Sequence, residues 1–308
     1  MAQTVDVSFV PALQDTIVNR FAEDPEMVRS RVRVRQITGK TDKWERLGGV
    51  ELTQVTTRHA ATPHTPMTHS ARLAILSDFA GSELLDQLDQ VKMMIDPKND
   101  YTRNLVQAWR RRIARSIVAA IDGNATSVDN NDARTSVALP ASQSIANGGT
   151  GFTMAKWRQG NRILDNAGVP RQDRTLFCSA FAIEDLLADS QVTSKDYSDL
   201  AAIMNGTIAQ GARFMGASVI MISDAIPDAT AVLTGGTIDP ILPKTGNIRS
   251  CYLFHHDAVG LSLAKDVTAE VDRRADLMNS WQVLVQGSLG AVRILDEGCV
   301  EVDLDESV

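Results

Sequence analysis

The chain is short of the residues that most often announce chemistry. Aromatic side chains make up 5% of its 308 residues, so any core must rest on Ala, Val, Ile, Leu and Met. There are three cysteines, Cys178, Cys251 and Cys299, widely separated and set in apolar stretches such as Leu176-Phe177-Cys178. No Cys-x-x-Cys pair occurs, which excludes a local zinc or redox motif, and the odd count argues against a disulfide framework. Reduced, buried thiols in a cytoplasmic setting are expected. No apolar run approaches the ~20 residues of a membrane span, and the polar stretch Met1 to Phe9 is no signal peptide. Gly-x-Ser-x-Gly and His-Glu-x-x-His are absent, and no serine has a neighbourhood that marks a nucleophile. No catalytic residue, cofactor or metal is expected.

What is present is enough apolar material for a core, 44% of residues, and a length suited to roughly two domains. The net charge of −7 argues against a whole-molecule nucleic-acid binder. The charge is uneven. Residues 28–50 carry seven basic and two acidic side chains, whereas 265–308 carry four basic and ten acidic. Two readings fit: an unevenly solvated surface, or complementary patches that steer contacts between copies.

Arg29, Arg31, Arg33 and Arg35 alternate with Ser30, Val32 and Val34, and Val50 to Val55 alternates again after Gly48-Gly49. Period-two alternation predicts strands, and a ladder this polar has little core of its own. A lone hairpin of that kind is marginal in water, so completion by another copy is expected. The loop Arg58 to Pro66 separates it from a return strand over Ser70–Ser77, with Ala71, Leu73 and Ile75 on one face. An acidic helix over Ser82–Met94, ended by Pro97, is expected next. Leu105, Trp109, Ile113, Ile117 and Ile121 recur every four residues and predict a long helix over Asn99–Ile121. Residues 124–151 read as a mobile loop. An α/β texture follows: helices Met154–Asn166, Phe181–Asp189 and Leu200–Ile208, with strands Thr175–Cys178 and Ala217–Ser223. Residues 224–248 read as loop, and Cys251–Phe254, Val267–Arg273, Trp281–Leu289 and Ala291–Val302 as strands. Before all of this, residues 1–27 read as an arm with a short helix from Pro11 to Phe21.

The chemical candidates are weak. His255-His256-Asp257 places adjacent histidines on opposite strand faces, which suits a strand-end turn better than a metal site. His59, His64 and His69 match no zinc spacing. Gly148-Gly149-Thr150-Gly151 precedes a helix, where a phosphate could sit, but lacks the Lys-Ser/Thr of a nucleotide loop; Thr234-Gly235-Gly236-Thr237 is weaker still, and flexible linkers explain both. Arg110, Arg111, Arg112 and Arg115 form either a solvated helix face or a basic patch able to touch phosphates without reading sequence. Trp44, between Lys43 and Glu45, is either an interface anchor or local packing across the hairpin.

Three stretches carry a likeness. Thr38-Gly39-Lys40 through Trp44-Glu45-Arg46-Leu47-Gly48, Ile95-Asp96-Pro97 with the helix ending Ala119-Ala120-Ile121-Asp122, and Leu289 to Asp296 followed by Cys299-Val300-Glu301-Val302 together resemble the major capsid proteins of tailed bacteriophages. That resemblance implies an α+β, Hong Kong 97-like capsid fold. Its parts would be an N-terminal arm at 1–27, an extended E-loop hairpin at 28–80, and a peripheral domain at 81–170 with its spine helix at 99–122. An inserted axial α/β domain would occupy 171–264, with return strands of the peripheral domain at 265–308.

The implied function is a non-enzymatic shell subunit that self-assembles into an icosahedral phage head around double-stranded DNA. The implied partners are other copies in pentamers and hexamers, a portal protein, a decoration protein and packaged DNA, with no membrane. Since Met1 opens directly on the arm, a separate scaffolding protein is expected rather than a cleaved segment. The virion, and the host cytoplasm during assembly, are the implied locations. Inter-subunit contacts are expected from Arg31, Arg33, Arg35, Lys43, Trp44 and Arg46, and DNA contacts from Arg110, Arg111, Arg112 and Arg115. The alternatives are an encapsulin-like compartment and an α/β enzyme built around residues 171–264 and His255-His256.

Overall fold

The computed structural model describes residues 26–54, 56–58, 62, 64–86, 98–129, 131–188, 213–222 and 240–307. The arm at 1–25, most of the acidic-helix span, Pro97, the helix expected at Leu200–Ile208 and the Thr234–Thr237 turn lie outside them. The described elements are α1 (Glu26–Arg29), β1 (Arg33–Gln36), β2 (Thr41–Leu47), β3 (His69–Ile75), β4 (Ser77–Leu85), α2 (Lys98–Asp122), β5 (Ala125–Val128) and β6 (Arg134–Val137). They continue as β7 (Ser144–Ile145), α3 (Met154–Asn166), β8 (Arg174–Cys178), α4 (Ala180–Ala188), β9 (Arg213–Phe214), β10 (Ala217–Met221), β11 (Lys244–Thr245) and β12 (Ile248–His255). The last three are β13 (Val259–Arg274), β14 (Ser280–Arg293) and β15 (Cys299–Asp305).

The described residues divide into two compact units, one drawn from 79–109 and 266–287, the other from 23–78, 110–265 and 288–308. In the first, the Trp109 ring meets Phe79 edge-on with centroids 6.5 Å apart. Gly287 leaves room for that indole, since a Cβ there would lie 2.5 Å from its Cζ2. Arg274, bound through two nitrogens to Asp276 and through a third to Gln282, braces the turn between β13 and β14.

In the larger unit a sheet runs β7-β15-β12-β8-β10-β9, with β11 paired to β12. Its centre is buried on both faces, as the wholly buried β8 shows. One face carries Leu176, Cys178, Val219, Cys251, Leu253, Val300 and Val302 against Met154, Trp157 and Leu164 of α3 and Ala182 and Leu186 of α4. Thr153 caps α3, its side chain accepting from Lys156 N. The thiols are free and buried as expected, and loss of solvent raises those of Cys251 and Cys299 to about 12.

A second sheet, β2-β3-β5-β6, revises the expectation of a hairpin without a core. β2 and β3 do form an antiparallel hairpin, from Thr41 opposite Ile75 to Leu47 opposite His69. However, β3 continues into β5 within the same chain, supplied by the segment expected to be a loop. Asp42, Trp44, Ala71, Arg72, Leu73 and Ala74 are therefore buried, while Ile75, at the end of β3, is exposed.

Other expectations fail for identifiable reasons. Arg29 belongs to α1, and β1, all of it exposed, starts only at Arg33, where it pairs in parallel with β13. Val50 and Leu52 are exposed outside any strand, at 40% and 93%. Ser82–Leu85 is strand: β4 is an edge of the sheet β1-β13-β14-β4, and pairing with β14 overrides the short helical period. The strand break expected at Gly290 falls instead at the 3₁₀ turn Asp296–Gly298.

Candidate assembly surface

Of the residues expected to make contacts between copies, Arg33 and Arg35 gather over Trp44, and Lys43 and Arg46 flank it on β2. The position of Trp44 in β2 turns it inward, where it is 3% exposed, so it is local packing and not a projecting anchor. The indole Nε1 donates to Ser262 Oγ at 3.0 Å, and Ser262 in turn donates to Asp42 Oδ2 at 2.7 Å. Asp42 also accepts from Arg35 Nη1 at 3.2 Å. A Cβ at Gly260 would stand 2.8 Å from the indole, so only glycine lets β13 pass this close.

Above the buried indole lie two guanidinium groups, Arg35 at 4.1 Å and Arg33 at 5.8 Å from the ring centroid. Both are half in solvent on β1, and Arg33 also pairs with Asp257 at 3.6 Å. Lys43 reaches Asp132 at 2.9 Å. Half-buried Arg46 donates to Ser70 Oγ at 2.9 Å and Ile294 O at 3.2 Å, and stands 4.0 Å from Asp296. Arg31 donates to Ser218 Oγ at 3.3 Å. The basic character of residues 28–50 is thus largely answered within the chain, by Asp42, Asp132, Asp257 and Asp296. Nothing local in the sequence marks those partners, all but Asp42 being distant along the chain.

Beyond the hairpin base the character changes. Leu47, Val50, Leu52 and Met67 are exposed at 64%, 40%, 93% and 58%, so the outer part of the hairpin presents apolar side chains to solvent. The described sheets also end on strands with an open side: β2 and β6 in one, β1 and β4 in another.

The other candidates resolve differently. On α2, Arg112 is exposed and Arg110, Arg111 and Arg115 half-buried; all four have interactions within the chain. His255 and His256 sit at a strand end, where His255 Nδ1 accepts from Asp257 N at 3.1 Å and His256 lies 3.4 Å from Asp257. His64 and His69 are exposed, and His59 lies outside the described residues. Among the described residues no group of three or more His, Cys, Asp or Glu could hold a metal, and no helix is long and apolar enough to cross a membrane.

The Gly148–Gly151 loop closes on a cation, not an anion. Buried Lys156 donates to the carbonyls of Asn147, Thr150, Gly151 and Asp303 at 2.7, 2.8, 2.9 and 2.9 Å. Sequence reasoning missed this lysine, although Thr153 at the helix start places it one turn from the loop.

A long helix, a two-sided sheet domain and a hairpin with an apolar outer end define a shell-forming protein of the Hong Kong 97-like class. The chain matches the phage capsid protein family over residues 5–306 and belongs to it. Its structural role is that of a major capsid protein of the virion.

Solved structures share the fold at low identity. The capsid of cyanophage P-SCSP1u superposes with a TM-score of 0.69 at 15% identity, covering 98% of this chain and 94% of that one. The Helicobacter pylori bacteriophage KHP30 capsid gives 0.69 at 12%, covering 98% and 97%, and Mycobacterium phage Che8 gives 0.61 at 17%, covering 96% and 97%. No curated protein sequence matches.

Proposed function

We propose that this chain assembles through its hairpin into pentamers and hexamers of an icosahedral head that encloses double-stranded DNA. The observation that carries the reading is the exposed apolar set Leu47, Val50, Leu52 and Met67 on a hairpin whose base is firmly buried. A solvated loop has no need of Leu52 at 93% exposure, whereas a neighbouring subunit would remove it from water. Arg33, Arg35 and Lys43 set the register of that contact, exchanging internal carboxylates for a neighbour's; Arg31, Trp44 and Arg46 shape the base from which the hairpin extends. Many such contacts per shell sum to a stable assembly.

In the same reading the domain names follow: an arm at 1–27, an E-loop centred on β2 and β3, a peripheral domain built on α2, an axial domain on the β8-centred sheet, and return strands at the C-terminal end. Arg110, Arg111, Arg112 and Arg115 supply sequence-independent phosphate contacts, exposed Arg112 first among them. A portal protein, a separate scaffolding protein and a decoration protein complete the head, assembled in the host cytoplasm.

Removing the whole hairpin would also remove Trp44 and the buried part of β3, so a narrower change is the test. Replacing 49–67 with a short Gly-Ser link spares both strands. The expected product is a folded, soluble chain that no longer forms particles by electron microscopy, and Leu52→Asp should weaken assembly in the same direction. Closed particles from the replaced chain would sink the reading.

A further inference from the structure

His255 closes β12, and His256 and Asp257 open the 3₁₀ turn His256–Ala258 that follows it. Through Nδ1, buried His255 accepts from Asp257 N at 3.1 Å. That nitrogen therefore carries no proton, and the ring is neutral with its hydrogen on Nε2. The turn is pinned on both sides. His256 N donates to Asp173 O at 3.1 Å, and Ala258 O accepts from Ile294 N and Leu295 N at 2.7 and 3.2 Å. β1 runs parallel to β13 with Arg33 opposite Gly260, which brings the Arg33 guanidinium to the same turn.

One carboxylate, that of Asp257, thus faces three basic groups. Arg33 Nε stands 3.6 Å from it, His256 Nδ1 3.4 Å and His255 Nδ1 3.9 Å. While both rings are neutral, Arg33 is its charged partner. Histidine is the side chain whose charge ordinarily changes between about pH 5 and 8, and protonating both rings sets three cations around one anion. A protonated His255 Nδ1 can no longer accept from Asp257 N, and the Asp257 carboxylate is the anion within its reach.

The surrounding elements bring little relief. Arg174, opposite His255 on β8, is a further buried cation and is already bound to Asp165. Asp173 pairs with Arg213 at 3.6 Å, and Asp296 is held by Arg293 and Arg72. Glu297 stands exposed on the 3₁₀ turn Asp296–Gly298, whose Gly298 abuts Ala258. Of the three groups around Asp257, Arg33 is the one able to leave. It is half in solvent on a long side chain, and the Trp44 ring 5.8 Å away receives its charge.

We propose that this turn is a proton-operated switch. At neutral pH and above, Asp257 holds Arg33; in acid the two imidazolium groups take the carboxylate and release Arg33. The release happens within one chain, and only its use, a new pairing with a carboxylate of a second copy, rests on the shell reading.

The test is a titration of the full chain from about pH 8 to about pH 5 by nuclear magnetic resonance, with labelled histidine and arginine side chains. The chain is kept dilute and unassembled, and the Arg33 Nε–H signal is assigned by its loss in R33K. At the upper pH His255 should show a bare Nδ1 and a protonated Nε2. As the pH falls, the Arg33 signal should move to its solvated position with the midpoint of the two histidines. H255N/H256Q keeps a side-chain acceptor at the turn but cannot titrate, so there Arg33 should hold its starting position throughout. D257N should place Arg33 in the solvated position at every pH, and it answers alone should the double variant fail to fold. An Arg33 signal that ignores pH in the parent chain, still moves in H255N/H256Q, or is unchanged by D257N overturns the switch and leaves the shell reading untouched.

Discussion

One guanidinium, that of Arg293, holds four neighbours where no water reaches it. It is fully buried and donates to Asp296 Oδ1 at 2.8 Å and to the carbonyls of Ile121, Gly123 and Val137 at 2.6, 2.8 and 3.0 Å. Two of these carbonyls lie at the end of α2, which has orphan acceptors to satisfy there. Arg72, also buried, pairs with the other oxygen of Asp296. Arg293→Met should therefore cost about 3–5 kcal/mol in denaturant unfolding, because it leaves one oxygen of Asp296 and three carbonyls without their donor. Arg293→Lys should rescue little of that, since an ammonium cannot reproduce the fork; near-normal stability in the lysine variant would refute the role.

Glu306 gives a second measurable consequence at this scale. Burial pushes its carboxyl up, but Arg249 and Lys244 outweigh that and hold its pKa below the ordinary value. Its contribution is thus fully present above the unfolded value of about 4.3 and lost as pH falls through the lower folded value. Glu306→Gln should lower the unfolding midpoint at neutral pH and converge with the parent chain in acid. A stability gap that persists in strong acid would show that Glu306 acts through shape rather than charge.

At the scale of elements, legibility followed the partner of each pattern. α2 and α3 were readable because a helix satisfies its own backbone, so the run from Trp109 to Ile121 and the stretch Met154–Asn166 needed no distant information. β8 and β12 were readable from continuous apolar runs. β5 and β6 were not, since Ala125–Val128 and Arg134–Val137 become strands only because β3 lies beside them. The assembly corner was half legible: alternation pointed to Trp44 and its arginines, but Ser262, Asp132 and Asp296 are fixed by topology alone. Gly290 misled for a related reason. It reads as a strand break, yet it lies inside β14, where a Cβ would clash with the carbonyl of Ile75. Glycine is there for close approach. Gly290→Ala should cost about 1–3 kcal/mol by forcing β14 off Ile75, and a neutral effect on the unfolding midpoint would remove that explanation.

For the molecule as a whole, the uneven charge of the sequence left two readings, a solvated surface or patches that steer contacts between copies, and much of the charge of residues 28–50 is answered within the chain. Most cations of residues 28–50 already have carboxylates within their own chain, and the two pairs exposed on both sides, Arg33–Asp257 and Lys43–Asp132, carry little energetic weight. What stays unanswered is apolar: Leu47, Val50, Leu52 and Met67. The two kinds of contact respond oppositely to salt. At about 1 M ionic strength screening acts beyond roughly 3 Å, which cancels steering between exposed charges but leaves apolar burial intact. Particle yield by sedimentation should therefore be nearly the same in about 1 M sodium chloride as in about 0.1 M, with only the early rate reduced. Sulfate should raise the yield, because it strengthens apolar burial while screening charge at least as well. A yield that collapses in both salts would locate the driving force in the charges and remove Leu52 and its neighbours from the centre of the contact.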